Sequence, residues 1–336
     1  MAKPTLSVVI PVFNEAVNLP ETIESLLRAV EQGGFDAEIV LVDDGSTDGS
    51  AGVAQDAVAD RAPLRILTQP NRGRFEARRR GVEAAEGDWV LLLDGRVQID
   101  LESLAQLRQR LDRAPVWTAH VHVAADGDLL GSFWGLIAEL AWSDYFNNPR
   151  ETSFGTEEFD RYPKGTTCFL CPRELLLDAI GALHSRYVDL RDANDDTPML
   201  RWIAERERIY VSPAFSCRYR PRTSFRSFIR HSVHRGVVFL DGHGRRESRF
   251  FPAVIAFYPL SGVMVLAALR KPRVLPAALA ATSLAAVTLG LARRRTAAEV
   301  VSLALVTPLY GVAHGYGMWR GLVKMLRPPP AAGSRR

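Results

Sequence analysis

Residues 6–15 read LSVVIPVFNE, an apolar run of strand length that ends in polar side chains, and this stretch decides the fold. Three further apolar runs follow at 38–42, 64–68 and 88–93. None of the four alternates cleanly between apolar and polar residues, which is typical of strands covered on both faces of a parallel sheet.

Helical patterns fill the gaps between these strands. Apolar residues recur at helical spacing from Leu19 to Val30, and further helices are predicted at about 48–59 and 75–85. This alternation predicts right-handed crossovers and a doubly wound α/β sheet. Beyond it we predict a mixed sheet, with helices at about 100–112, 132–146, 172–179 and 197–206 and strands at about 116–123, 166–170 and 208–211.

Composition excludes a disordered or fibrous protein, because 47% of the 336 residues are hydrophobic and 24% are charged. The charge is unevenly spread, since residues 218–249 hold nine arginines against two acidic residues. This arginine cluster precedes hydrophobic blocks and has no nucleic-acid recognition motif beside it. We therefore expect a membrane surface or a phosphorylated ligand as its partner, and no nucleic acid.

Three hydrophobic blocks close the chain, at about 251–269, 274–292 and 299–319, each about long enough to cross a bilayer. Three full spans would leave one of the arginine groups between them on the outer side, against the positive-inside tendency. We favour a two-span hairpin followed by an interfacial last block, with three spans as the alternative. The last block has Gly-x-x-x-Gly spacings that permit close helix packing.

These patterns divide the chain into a first domain at 1–240, a membrane region with two to three hydrophobic helices at 241–325, and a disordered tail at 326–336. The N-terminal residues enter a strand pattern without a secretion signal. We therefore expect the protein in the cytoplasmic (inner) membrane, with its first domain facing the cytosol.

Polar loops follow three of the predicted strands, at 11–15, 43–48 and 94–96. In open α/β sheets, ligands bind beyond the carboxyl ends of the strands. The functional site is therefore expected at this edge of the sheet.

The segments VVIPVFNE (8–15), VDDGSTDGS (42–50) and EAAEGDWVLLLDGR (83–96) together resemble the family 2 glycosyltransferases with the GT-A fold, over roughly residues 5–240. The resemblance implies transfer of a sugar from a nucleotide diphosphate sugar. It implies a nucleoside pocket lined by Pro11, Phe13 and Glu15, with Asp43 and Asp44 on base and ribose and a tight turn at Gly45 and Ser46. A turn and helix N-cap at 44–48 is compatible with that role.

Residues 71–81, NRGRFEARRRG, fall where family members have a glycine and a basic residue near the donor phosphates. Arg74 and Arg78 share one face at helical spacing. Arg74 is our candidate for donor contact, and a solvated helix face is the alternative.

Asp94-Gly95-Arg96 departs from the Asp-x-Asp motif whose second aspartate holds a divalent metal on the donor diphosphate in this family. Arg96 carries a positive charge and can donate two hydrogen bonds to a phosphate, so it could replace part of the metal's role. The alternative is that Arg96 turns away and Mg²⁺ or Mn²⁺ binds through Asp94 and the diphosphate.

Asp195 and Asp196 precede a predicted helix and resemble the family's Glu-Asp segment, which implies that Asp196 is the base that activates the acceptor in an inverting transfer. An N-cap for the helix is the alternative role. Farther on, His234 and Arg235 stand where processive members carry Gln-x-x-Arg-Trp, which this chain lacks. A processive synthase is therefore not expected, although both residues are candidates for contact with the diphosphate.

The prediction is an inverting glycosyltransferase whose partners are a nucleotide sugar and a membrane lipid or lipid-linked acceptor. The alternative is a catalytically inactive GT-A binding or scaffold protein at the membrane, suggested by Arg96. Nothing in the sequence indicates an oligomeric state.

Overall fold

The computed structural model describes residues 5–125, 127–183 and 185–326. Its contacts divide the chain into two compact units. The first comprises Met1–Ala124, Ala138–His184 and Asp195–Pro221, and the second comprises Ala125–Ile137, Ser185–Asn194 and Arg222–Arg336. The last segment of the second unit thus begins at Arg222 and not at the predicted residue 241, because one continuous helix spans residue 240. Residues 327–336 of the predicted tail lie outside the described residues.

The described strands all belong to the first unit. They are β1 (Leu6–Val12), β2 (Ala37–Asp43), β3 (Leu64–Thr68), β4 (Trp89–Leu93), β5 (Val97–Ile99), β6 (Val116–Thr118), β7 (His120–Val123), β8 (Thr152–Phe154), β9 (Cys168–Pro172), β10 (Ile209–Val211) and β11 (Ser216–Tyr219). Eight form one sheet in the order β3-β2-β1-β4-β9-β6-β10-β8, and three form a second in the order β5-β11-β7. Strands β3, β2, β1 and β4 run parallel, whereas β9 is antiparallel to both of its neighbours.

The helices of both units follow the chain in order. They are α1 (Leu19–Gly33), α2 (Ser50–Val58), α3 (Arg74–Ala84), α4 (Ser103–Arg108), α5 (Leu129–Ala141), α6 (Ser143–Phe146), α7 (Arg173–Gly181), α8 (Thr197–Ala204), α9 (Phe225–His243), α10 (Phe251–Arg270), α11 (Val274–Ala292) and α12 (Ala297–Leu326). Short 3₁₀ turns lie at Phe159–Arg161 and Leu190–Asp192.

Helices cover both faces of β1, as its continuous apolar run predicts. Val8 and Ile10 belong to the same buried core as Ile23 of α1. Side chains alternate along a strand, so Val9 points to the other face. There, a Cβ added to Gly81 of α3 would overlap the Val9 side chain. The glycine lets α3 pack directly on the sheet, which confirms the predicted α/β arrangement.

The predicted strand at 116–123 is in fact two strands in different sheets. Ala119 N–H donates to Cys168 O beside β9 at 3.0 Å, whereas His120 N–H donates to Phe215 O beside β11 at 2.8 Å. The chain changes sheets between these two residues. The helix predicted at 132–146 is likewise interrupted at Trp142, between α5 and α6.

The sheet order turns between β1 and β4, the point where ligands bind in doubly wound folds. The polar loops after β1, β2 and β4 all leave the sheet at this carboxyl edge, because the three strands are parallel. This arrangement brings the predicted site residues of the first unit together.

In the second unit, α10, α11 and α12 are long and apolar enough to cross a membrane. α12 packs closely on α9, since a Cβ added at Gly317 would overlap the Val233 carbonyl oxygen and one at Gly236 would overlap that of His314. The Gly-x-x-x-Gly spacing of Gly317 and Gly321 serves this contact. α12 continues through Pro308 as one helix.

Candidate active site

Side-chain hydrogen bonds tie the loop after β1 to the loop after β2. The Asn14 N–H donates to Ser46 Oγ at 3.0 Å, and Asn14 Oδ1 accepts from the Thr47 N–H at 2.8 Å. Asn14 has φ of 56°, a left-handed conformation that asparagine adopts more readily than most residues. The Glu15 N–H donates to Ser50 Oγ at 2.9 Å. The two loops therefore form one connected wall.

The turn after β2 depends on a carboxylate and a glycine. Asp43 Oδ1 accepts from the Ser46 N–H at 2.8 Å, which closes the turn. Gly45 has φ of +80°, and an added Cβ would lie 2.9 Å from the Asn71 nitrogen. Only glycine combines this conformation with this close approach. The predicted tight turn at Gly45 and Ser46 is thus present.

The next carboxylate, Asp44, anchors the segment that leads into α3. It is buried and accepts hydrogen bonds from Gln69 Nε2 at 2.8 Å, the Arg72 N–H at 2.8 Å and the Gly73 N–H at 2.9 Å. Both carboxylate oxygens are engaged. Asp44 therefore fixes the start of α3, and its contact with base or ribose stays a prediction.

The three residues predicted to line the pocket after β1 differ in exposure. Pro11 and Glu15 are buried, whereas 46% of the Phe13 surface is exposed at the tip of the loop. An exposed aromatic ring beside a polar wall can stack on a nucleobase. This geometry suits a nucleoside site.

Arg78 lies at the centre of three carboxylates. Its Nη2 donates to Asp94 Oδ1 at 2.7 Å, and its Nη1 donates to Asp195 Oδ2 at 2.5 Å and to Asp196 Oδ1 at 3.1 Å. Only 4% of the Arg78 side chain is exposed. Asp196 Oδ1 also accepts from the Thr166 hydroxyl. One buried guanidinium thus joins the end of β4 to the segment before α8.

The paired aspartates before α8 have opposite shifts in pKa. Burial disfavours the charged form of Asp195, but Arg74 and Arg78 outweigh that effect and lower its pKa to about 2. For Asp196, burial and the Asp195 charge raise the pKa above its ordinary value. Asp195 is therefore an anion at neutral pH, whereas Asp196 accepts a proton more readily than an ordinary aspartate.

Asp196 stands at a helix N-cap position but does not cap the helix with its side chain. Asp196 occupies the N-cap position of α8, yet its side chain makes no capping hydrogen bond to that helix, all of which is described. Its carboxylate instead faces Arg78 and Thr166. The side chain is therefore directed to the carboxylate cluster, with 35% of its surface exposed.

Arg74 reaches the same cluster from the first turn of α3. Its Nε and Nη2 each lie 3.2 Å from an oxygen of Asp195. Unlike Arg78, it is half exposed, with 49% of its side chain accessible. Arg74 can therefore bind Asp195 and still present N–H groups to a ligand.

Arg96 pairs with the loop after β1. Its Nε donates to Glu15 Oε1 at 2.7 Å, and 19% of its side chain is exposed. The bond uses one of the five N–H donors of the guanidinium and fixes the plane of the others. Arg96 therefore links the loop after β4, to which it belongs, with the loop after β1, on the predicted donor side.

The residues beside Asp94 do not fit a divalent metal. The second carboxylate of the motif is the cation Arg96, and Asp94 Oδ1 is already bonded to Arg78. Mg²⁺ and Mn²⁺ prefer several oxygen ligands. Within 5–125, 127–183 and 185–326, no group of three His, Cys, Asp or Glu side chains is arranged to hold a metal ion.

His234 and Arg235 lie on α9 in the second unit. The Arg235 guanidinium carbon lies 5.3 Å from the ring centroid of Trp134, a cation–π distance. Their predicted contact with the diphosphate remains a prediction.

Sequence reasoning missed the central role of Arg78 and the parts played by Thr166 and Gln69. The shared helix face of Arg74 and Arg78 was the available signal, and both residues do meet Asp195. No local pattern marks Thr166, which approaches Asp196 only because β9 lies beside β4.

Comparison with known proteins places these elements in context. A family model described as "Glycosyl transferase family 2" matches residues 7–176. Over 104 residues, the chain is 36% identical to undecaprenyl-phosphate 4-deoxy-4-formamido-L-arabinose transferase of Proteus mirabilis and 41% identical to that of Pectobacterium carotovorum. Each match covers 30% of this chain and 32% of the relative. The matched segment thus spans about a third of these relatives' length.

Solved structures with the same fold cover nearly the whole chain. S. aureus TarS 1-349 in complex with UDP aligns with a TM-score of 0.52 at 17% identity, over 96% of this chain and 90% of that one. A mannosyltransferase from Pyrobaculum calidifontis, in complex with GDP-Man and Mn²⁺, aligns with a TM-score of 0.51 at 18% identity, over 97% and 86%. These likenesses confirm the GT-A fold that the sequence predicts.

Proposed function

The chain belongs to glycosyl transferase family 2, and on that basis we propose that it transfers one sugar from a nucleoside diphosphate sugar to a phosphate-bearing membrane lipid, with inversion at the anomeric carbon. The observation that carries this proposal is the buried Arg78, which gathers Asp94, Asp195 and Asp196 at the carboxyl edge of the sheet. Paired carboxylates with separated pKa values suit a site that must both hold charge and take up a proton.

The acceptor follows from the second unit and from the relatives. The relatives' names specify undecaprenyl phosphate, a lipid that carries a phosphate. Here, α10, α11 and α12 can enter a membrane, and α9 presents exposed Arg226 and Arg230. Arginine side chains bind phosphate oxygens well. A polyprenyl phosphate is therefore the acceptor class that we propose.

The donor would be held by the loops of the first unit. Phe13 offers an exposed ring for the base, and the wall formed by the loops after β1 and β2 offers polar groups for the nucleoside. Asp43 and Asp44 hold this wall in shape, whatever further contact they make with base and ribose. Arg74 and Arg96 supply positive charge for the leaving diphosphate.

In the transfer, an acceptor oxygen forms a bond to the anomeric carbon as the bond from that carbon to the diphosphate oxygen breaks. The diphosphate leaves with the bonding electrons. Any proton on the attacking oxygen passes to Asp196, whose raised pKa suits it to this task. A phosphate acceptor is already anionic, so Asp196 then has less to do as a base, and its charge also stabilises positive charge on the sugar ring.

The orientation in the membrane follows from charge. Arg245, Arg246 and Arg249 lie between α9 and α10, just before the first apolar helix. Together with the other arginines of 218–249 they outnumber Arg270, Lys271 and Arg273 at the other end of α10, so the positive-inside tendency places this end of α10 in the cytosol. We therefore propose a protein of the bacterial cytoplasmic membrane whose first unit faces the cytosol.

The direct test supplies radiolabelled UDP-, GDP- and dTDP-sugars to the purified full-length protein with undecaprenyl phosphate in detergent, and measures label in the lipid phase. We expect transfer from one nucleotide class. Asp196→Asn should lower the rate about 100-fold, because the variant loses the negative charge that stabilises positive charge on the sugar ring. Asp56→Asn, a change in an exposed aspartate of α2, is the matched control and should leave the rate unchanged.

Two results would contradict the proposal. Full activity in Asp196→Asn would remove Asp196 from the chemistry. Absence of transfer with every donor, in protein that keeps its cooperative thermal transition, would favour the alternative of a GT-A scaffold at the membrane, which the replacement of the second motif aspartate by Arg96 suggests.

A further inference from the structure

The carboxylate cluster already contains a cation of its own. Arg78 is nearly inaccessible to solvent and donates to Asp94, Asp195 and Asp196. A divalent ion would also hold carboxylates together, through their oxygen atoms. The guanidinium fixes the relative positions of the three side chains without an exchangeable ion.

A second cation occupies the position of the missing carboxylate. Arg96 stands two residues after Asp94, where the metal-binding motif has its second aspartate, and Glu15 fixes its plane through Nε. A divalent ion beside this guanidinium would be repelled. An anion there would be attracted and could accept its remaining N–H groups.

The three arginines of the site differ in solvent exposure, and this difference indicates different roles. Arg78, with 4% of its side chain exposed, can reach only the protein, whereas Arg74 and Arg96 are 49% and 19% exposed. The side chains of Arg74 and Arg96 also extend from different elements, namely α3 and the loop after β4. They can therefore approach a diphosphate from two sides.

We propose that this centre works without a divalent metal: Arg78 positions the three aspartates, and Arg74 and Arg96 neutralise the leaving diphosphate. This inference rests on the proposed function, because it presumes a nucleoside diphosphate sugar as donor. It makes Arg78 a positioning residue, and it makes Arg74 and Arg96 the groups that touch the donor phosphates.

The test measures binding of UDP, GDP and dTDP to the full-length protein in detergent by calorimetry, in excess EDTA and then with Mn²⁺ or Mg²⁺. We expect one nucleotide to bind in EDTA about as tightly as with metal. Loss of a charge-assisted hydrogen bond is worth about 1.5–3 kcal/mol, so Arg96→Ala should weaken binding in EDTA by about 10- to 100-fold. Arg79→Ala is the control for loss of an arginine, because Arg79 lies on α3 and pairs there with Glu76 and Glu83.

The variant Arg96→Asp sharpens the test, since it restores the second carboxylate of the motif. We expect it to bind the nucleotide poorly in EDTA and to regain affinity with Mn²⁺, whereas binding by the parent protein should not depend on the metal. A thermal transition like that of the parent would show that each variant is folded.

The outcomes separate this inference from the proposed function. Nucleotide binding by the parent only with metal, or unchanged EDTA binding in Arg96→Ala, would overturn the metal-free centre and leave the glycosyltransferase proposal standing. Failure of the folded parent to bind any of the three nucleotides and to transfer any sugar would overturn both.

Discussion

Arg78 and Asp195 form a buried ion pair in which Nη1 lies 2.5 Å from Oδ2, although 117 positions separate them in sequence. The pair joins α3, which is part of the first βαβ units, to the segment that leads into α8. Breaking a buried pair by removing one partner costs more than the pair contributes, because a charge is left in a poorly solvated place. The two halves of the site are therefore energetically coupled through this contact.

Arg78→Ala should destabilise the first unit. Three carboxylates would lose their common donor, and removal of one partner from a buried pair costs about 3–5 kcal/mol. The apparent melting temperature of the protein in detergent measures the effect. Arg79→Ala breaks only partly exposed pairs, so its transition should move little, by under about 1 kcal/mol. Equal shifts in the two variants would contradict the coupling.

Asp195→Asn and Asp196→Asn should change stability in opposite directions at neutral pH. The folded pKa of Asp195, about 2, lies below its ordinary value of 3.8, so its charge stabilises the fold above that range and the contribution is lost as pH falls toward 2. The pKa of Asp196 is raised, so its charge opposes folding once pH exceeds its folded pKa. We expect a lower melting temperature for Asp195→Asn and a higher one for Asp196→Asn.

The measurement is a pair of thermal scans at pH 7 together with a transfer assay. Asp196→Asn should gain stability while losing activity, the combination expected where a charge is kept for chemistry. Destabilisation by Asp196→Asn would indicate a structural role for this carboxylate instead.

Sequence reasoning located the strands of the first half because β1, β2 and β4 consist mostly of apolar residues and are buried along nearly their whole length. It could not locate β5, β8 and β11, which have three or four residues each and are defined only by their partners. The predicted strand at 116–123 shows the same limit. Its residues are typical of a strand throughout, and the change of sheet at Ala119 depends on which other strands lie beside it in the fold.

The candidate site was likewise only partly predictable from the sequence. Gly45 and Ser46 were predictable, because a local turn requires them. Arg74 was predicted as a donor contact, yet the structure adds a bond to Asp195 that depends on the folding of distant segments. Charge type and helical spacing indicate which arginines share a face, but only the tertiary fold determines which of them becomes buried.

The pH dependence of transfer should show an acidic limb set by Asp196. Activity requires its charged form, so the rate should fall as pH drops through its folded pKa, which lies above 3.8 because of burial and Asp195. Arg78 lowers that pKa through its positive charge, so Arg78→Gln, which removes the charge, should move the limb to higher pH. A rate–pH profile of kcat at saturating donor measures this shift. A reduced rate with an unmoved limb would mean that Arg78 acts only on folding.

Asp44→Ala should loosen the entry into α3 and weaken nucleotide binding. Its carboxylate accepts hydrogen bonds from the partly buried N–H groups of Arg72 and Gly73 and from the buried side chain of Gln69, so the variant would leave these donors without their acceptor. An unsatisfied buried polar group costs about 1–3 kcal/mol. Calorimetry with UDP or GDP and a thermal scan measure the two effects. Asp48→Ala provides a comparison, since its carboxylate accepts from Ala16 in the loop after β1 and from Ser50 at the start of α2, and not from the start of α3. It should disturb α3 less, and an equal loss of binding in both would contradict the special role of Asp44.

Gly317→Ala should destabilise the second unit, whereas Gly311→Ala should not. The Cβ of an alanine at 317 would overlap the Val233 carbonyl oxygen of α9, and a backbone atom cannot move aside as the end of a flexible side chain can. At Gly311 on the same helix, nothing lies within 4 Å of an added Cβ. Overpacking of a tight contact costs about 1–3 kcal/mol, and alanine within a helix is otherwise favoured over glycine by about 1 kcal/mol.

Thermal transitions of the two variants in detergent should therefore move apart, with Gly311→Ala at or above the parent and Gly317→Ala below it. Similar transitions in both would show that α12 can shift along α9, and that the close approach at Gly317 is not needed to hold the two helices together.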